Sequence, residues 1–105
     1  MLVITSSQVA GKSITETLGM VRGVTVRAHH VGNDLIAYMR NLVGGEVLEY
    51  TKMLAEAREQ ALDRMIDEAR HLGADAVVDV RFNTSDIASG AAEVLAYGTA
   101  VKLGQ

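Results

Sequence analysis

The 105-residue chain has no cysteine, no proline and no tryptophan, and only four aromatic residues: Phe82, Tyr38, Tyr50 and Tyr97. Without cysteine there are no disulfides, thiolate metal sites, iron–sulfur clusters or thiol nucleophiles, and the redox compartment is left unconstrained. The lack of proline suits a chain made mostly of regular elements, with ten glycines left to supply turns, caps and bulges. A basic surplus is also missing. Thirteen acids against ten bases give a net charge of −3, without the positive footprint that tracks a phosphate backbone, so nucleic acid is not expected as a partner. No stretch approaches the roughly 18 consecutive apolar residues of a membrane span, and the N-terminus does not follow the order of a signal peptide. A soluble, cytoplasmic protein is expected, with no membrane partner.

What is present is plentiful Ala, Val, Leu, Ile and Met, so the core must be built from small aliphatic side chains. A domain of about 100 residues buries only about 60 to 68% of its extended surface, which leaves such a core modest stability against its entropy cost. Self-association would relieve that shortage. The length allows one domain, residues 1–105.

Along the chain, Leu2 to Thr5 form a short apolar run suited to a strand. Ser13 to His30 reads as one long kinked strand or two short ones, with Gly19 and Gly23 marking a bulge or bend. Asn33 or Asp34 can cap a first helix carrying Leu35, Ile36, Met39, Leu42 and Val43 at helical spacing, stopped by Gly44 and Gly45. A second helix is expected from about Glu46 to Leu72, ended by Gly73. At about 40 Å it is as long as the whole domain, so either it kinks or part of its stripe is covered by another subunit. It also carries seven acids against four bases, the chain's entire net charge, most simply a solvated outer face.

Ala76 to Thr84 is β-like, with Val78, Val80 and Phe82 assigned to one face and Val77, Asp79, Arg81 and Asn83 to the other. Ser85 to Gly90 reads as a polar connection, favouring an antiparallel hairpin. Ala92 to Leu103 has two apolar faces: Val94, Ala96 and Ala100 on one, Leu95, Tyr97, Val101 and Leu103 on the other. One face belongs to the chain's own helix, and the available cover for the other is a neighbouring copy. The fold expected is α+β, in the order strand, strand, helix, helix, strand, strand. One sheet has helices on one face, and the crossover from the second strand to the third is right-handed and parallel.

Candidate chemistry is thin. His29 and His30 are adjacent on a strand, where successive side chains point to opposite faces, so both cannot easily reach one ion within a subunit. One of them with Asp34, or with symmetry-related copies, is the candidate site for a divalent metal ion, against the simpler role of a polar strand end and helix cap. His71 in the last turn of the long helix suits the helix dipole. Asp75 suits a helix-to-strand turn. Arg40, Tyr50 and Arg58 are candidates to surround an anionic ligand between subunits, against the commoner fate of pairing with helix carboxylates. No triad, paired carboxylate or phosphate loop has usable specificity, so no catalytic residue is named and no enzyme is expected.

Several blocks together resemble the YbjQ-like family: Gly11-Lys12-Ser13-Ile14 with Glu16, Gly19, Val21 and Gly23; Arg40-Asn41-Leu42-Val43-Gly44-Gly45; Tyr50, Leu54 and Ala57-Arg58 with Ala61; Leu72-Gly73-Ala74-Asp75-Ala76-Val77; and Gly98-Thr99-Ala100-Val101. They run in order over nearly the whole chain. The resemblance implies a small bacterial or archaeal cytoplasmic protein without an assigned activity and with a heavy-metal-binding label. It also implies a ring-shaped homopentamer in which short strands add to neighbouring subunits. The metal label sits poorly with a chain that has no cysteine to hold a soft metal. The function expected is a homo-oligomeric binding or scaffold module, the alternative being a heavy-metal or small-molecule binder with sites at subunit interfaces.

Overall fold

The computed structural model describes residues 1–28, 45–88 and 90–105, with the backbone alone at 45–50 and 88. The elements are β1 (Leu2–Val3), β2 (Ser13–Ala28), α1 (Gly45–His71), β3 (Ala76–Ala88) and β4 (Ala91–Gly104). They form one four-stranded sheet in the order β1, β3, β4, β2, with the helix on one face. This is the α+β domain expected from the pattern. The first expected helix, and with it His29, His30, Asp34 and Arg40, lies outside the described residues, among which α1 is the single helix.

The α1 bounds fall within a residue of those read from the stripe, because the determinants are local. Ala57, Ala61, Met65 and Ala69 recur every fourth residue and are fully buried, with Leu54, Leu62 and Ile66 packed beside them. The stop is a Schellman closure. Gly73 takes φ 78°, its N–H donates to the Arg70 carbonyl at 2.9 Å, and the Ala74 N–H donates to the Ala69 carbonyl at 3.1 Å. Asp75 sits at the helix-to-strand turn, but its Oδ2 accepts from the distant Leu103 N–H of β4 at 2.9 Å and not from a local backbone donor. His71 Nδ1 lies 2.7 Å from the Asp67 carbonyl, an imidazole N–H satisfying a last-turn acceptor.

Both β2 and β3 pair antiparallel with β4, so they run parallel to each other with β4 between them. β2 is one continuous strand, and its irregularities fall between Ile14 and Glu16 and between Thr17 and Gly19, where Gly19 takes φ 125°. Gly23 is no bulge. It lies where α1 comes closest to the sheet: a Cβ there would collide with the Ala61 carbonyl oxygen and sit 2.6 Å from the Met65 nitrogen. Small residues on both sides bring helix and sheet together, with Ala96 and Ala100 of β4 in the same buried cluster.

Two expectations for β3 need correcting. Residues 85–88 are strand, paired with residues 91–93, and not a polar connection. The face assignment also changes midway, because β3 bulges between Val78 and Arg81, with Asp79 at φ 55°. The Asp79 N–H donates to the Ser6 carbonyl and the Val80 N–H to the Ile4 carbonyl, both at 3.0 Å, so the N-terminal segment holds the extra length. Gly98 makes room for it. A Cβ at Gly98 would lie 2.8 Å from Val77 Cγ1 and 3.2 Å from Val80 Cγ2. Val77 and Val80 therefore share the helix-side core, while Ala76 and Val78 pack with Val101 in the second cluster.

The second face of β4 is covered in part by the chain itself. Ile4, Val9 and Leu103 pack on Ala76, Val78 and Val101. Farther along, the same face is left open. The molecule measures 56 × 22 × 17 Å with a radius of gyration of 17.5 Å, against about 13 Å for a compact chain of this length, so it presents an unusually large surface for its volume.

Candidate functional site

Cross-strand register decides what the open half of the sheet presents. Arg22 of β2 and Arg81 of β3 both face Tyr97 of β4, Val24 and Asn83 face Leu95, and Val26 and Ser85 face Glu93. Residues alternate along each strand, so one row of β4 is buried under α1 while Leu95 and Tyr97 point away from it. The result is a shallow groove of about 700 Å³ over Met20, Val24, Leu95 and Tyr97, with Phe82 and Asn83 along its β3 side. Met20 is 62% exposed and Val26 54% exposed, large values for side chains on a paired strand.

The groove's charges sit at opposite ends. Arg22 and Glu93 are its charged lining residues, and neither has a hydrogen bond or ion pair among the described residues. Arg81 is engaged elsewhere: its Nη1 donates to the Thr5 carbonyl at 3.0 Å and its Nη2 lies 4.0 Å from Asp79 Oδ1. On the helix side, Arg27 is also taken, donating to Gln60 Oε1 at 3.0 Å and lying 3.6 Å from Glu56 Oε2. Arg64 reaches from α1 to donate to the Val24 carbonyl, satisfying one outward acceptor of the edge strand β2.

A second groove of about 550 Å³ runs on the helix side, between Leu62 and the N-terminal segment, and is walled by Val3, Ile4, Val80 and Phe82. Phe82 is 46% exposed there, at a point where β3 has passed the end of β1 and its outer edge has no neighbouring strand among the described residues.

His29, His30, Asp34 and Arg40 are outside the described residues, as is the Tyr50 side chain, and Arg58 is exposed on α1. Among the described residues no three of His, Cys, Asp and Glu gather as a metal site. The chain has no cysteine thiolate to offer a soft heavy metal. Arg22 and Glu93, missed at the sequence level, do share a groove; the alternation of β2 and β4 was readable, but which residue of one strand faces which of the other was not. Among the described residues, no helix is long and apolar enough to cross a membrane.

Comparison with known proteins matches this arrangement to a family over almost the full length. A family model of the YbjQ type, described as "Putative heavy-metal-binding", matches residues 1–104. Proteins named UPF0145 are similar throughout. The one from Methanosarcina acetivorans is 57% identical over 98% of this chain and 97% of its own. That from Photobacterium profundum is 55% identical over 98% and 100%. That from Clostridioides difficile is 52% identical over 98% and 92%. None of these names is that of an enzyme. The crystal structure of a protein of unknown function from Pediococcus pentosaceus, of the DUF74 family, superposes with a TM-score of 0.61. It is 18% identical and covers 99% of this chain and 98% of that one, which shows a shared fold. The chain belongs to the YbjQ-like family.

Proposed function

We propose that the protein is a homo-oligomeric binding or scaffold module of the cytoplasm, without catalysis, whose copies close into a ring of five. The observation that carries the reading is the uncovered half of the sheet, where Met20, Val24 and Val26 stand exposed beside Leu95 and Tyr97 on a domain this small. A second support is the pair of sheet edges. β2 lies at one side of the sheet, and β3 beyond Arg81 lies at the other. They differ in sequence and surroundings, so pairing between them is head-to-tail, the kind of contact that closes a ring. The resemblance read from the sequence points to the same assembly.

The partner in this reading is the chain itself, with neither nucleic acid nor membrane. Binding of a metal or small molecule at subunit junctions is the alternative. Within one chain, no three of His, Cys, Asp and Glu gather among the described residues, so such a site would need donors from more than one copy. Native mass spectrometry tests the assembly: a species of five times the 11.2 kDa chain mass is expected at micromolar concentration, and a stable monomer there would overturn the proposal.

A further inference from the structure

The open face carries one cation and one anion, the side chains of Arg22 and Glu93, that have no mates among the described residues. Arg22 and Val26 are four positions apart on β2, and Glu93 faces Val26, so the Arg22 and Glu93 backbones lie about 13 Å apart along the strands. Val24 and Leu95 fill the space between them. If a second copy covers this face, both charges leave water together. An ionised group taken from water without a mate costs more than the surrounding apolar contact returns, so covering the face requires that each charge find its opposite. Arg81 cannot serve Glu93, being held by the Thr5 carbonyl and Asp79. Among the described residues the groove lining contains no other charged side chain.

We propose that Arg22 of one copy pairs with Glu93 of its neighbour, and that these pairs set how the open faces meet. The inference rests on the reading that copies assemble, and adds to it the contact that fixes their register. That neither side chain has a mate among the described residues is what half of such a contact presents. The apolar strip between the charges supplies attraction without direction, and the charges supply direction, since a shifted neighbour would bury both unpaired.

The test is charge reversal with rescue, on the full chain. Arg22→Glu, Glu93→Arg and the double variant are compared with the wild type by sedimentation velocity across nanomolar to micromolar concentrations, with far-UV circular dichroism to follow the fold. Both side chains stand in the open groove, so the domain itself should fold in every variant. Each single reversal is expected to weaken assembly by at least about tenfold, and the double variant to recover to within about threefold of the wild type. Single variants that assemble like the wild type, or a double variant no better than the singles, would overturn the pairing while leaving the assembly standing. A wild-type chain that is monomeric throughout would remove the assembly and the pairing together, leaving the face to some other occupant.

Discussion

Replacing Gly23 by Ala probes the closest approach of helix and sheet. The added Cβ would overlap the Ala61 carbonyl oxygen and lie 2.6 Å from the Met65 nitrogen and 2.9 Å from Arg64 Cβ. Two of these are backbone atoms inside a helix and cannot rotate aside, so α1 must rise from β2 by close to an ångström. A gap of about 0.5 to 1 Å forfeits about a quarter to a half of each van der Waals contact it opens. The side chains that lose contact are Ala57, Ala61, Met65 and Ala69, all fully buried. Overpacking of this type costs about 1 to 3 kcal/mol, and the stiffer unfolded chain of an alanine variant returns about 0.4 to 1 kcal/mol. A net loss of about 1 to 2 kcal/mol is expected, or roughly 5 to 15 °C in melting temperature for a domain this size. Urea unfolding followed by circular dichroism measures it, with chain concentrations matched because assembly adds to apparent stability. A variant within about 0.5 kcal/mol of the wild type at unchanged m would show that helix and sheet are not in contact at Gly23, and the packing argument would fail.

Two further substitutions address buried polarity and backbone strain. Thr25 is 2% exposed and its hydroxyl has no hydrogen-bond partner among the described residues, so Thr25→Val should stabilise the fold by about 1 kcal/mol in the same assay; a loss of stability would mean that the hydroxyl is satisfied. Asp79 holds φ 55° in the β3 bulge, a region glycine enters without a Cβ penalty, while its ion pair with Arg81 is long and exposed. Asp79→Gly should therefore be at least as stable as the wild type and exceed Asp79→Ala by about 1 kcal/mol, and equal stability of the two variants would refute a strained bulge.

The readable features were those set by neighbours in sequence. The stripe of Ala57, Ala61, Met65 and Ala69 and the Gly73 stop placed α1, and the His71 position followed from the same local rules, whereas the Asp75 carboxylate is taken by Leu103, 28 residues on. The two-faced character of β4 was equally plain, because alternation is a property of the strand alone. The β3 phase was misread because its cause lies more than seventy residues upstream, where Ile4 and Ser6 accept hydrogen bonds from Val80 and Asp79. Strict alternation has no term for a residue inserted to meet a distant carbonyl. The extension of β3 to Ala88 was likewise hidden, since Ser85 and Asp86 resemble a turn until β4 supplies their ladder.

The candidate surface divides in the same way. That Leu95 and Tyr97 turn away from the helix follows from periodicity in the chain. That Val101 is sheltered by Ile4 and Val9 while Leu95 is not, and that Arg22 and Glu93 stand at the two ends of one groove, follows from cross-strand register and the path of the N-terminal segment. Local periodicity acts over a few residues and fixes the face each side chain occupies. Which faces are covered, and which charges share them, depends on segments brought together only when the chain closes on itself, and so was decided by the tertiary structure.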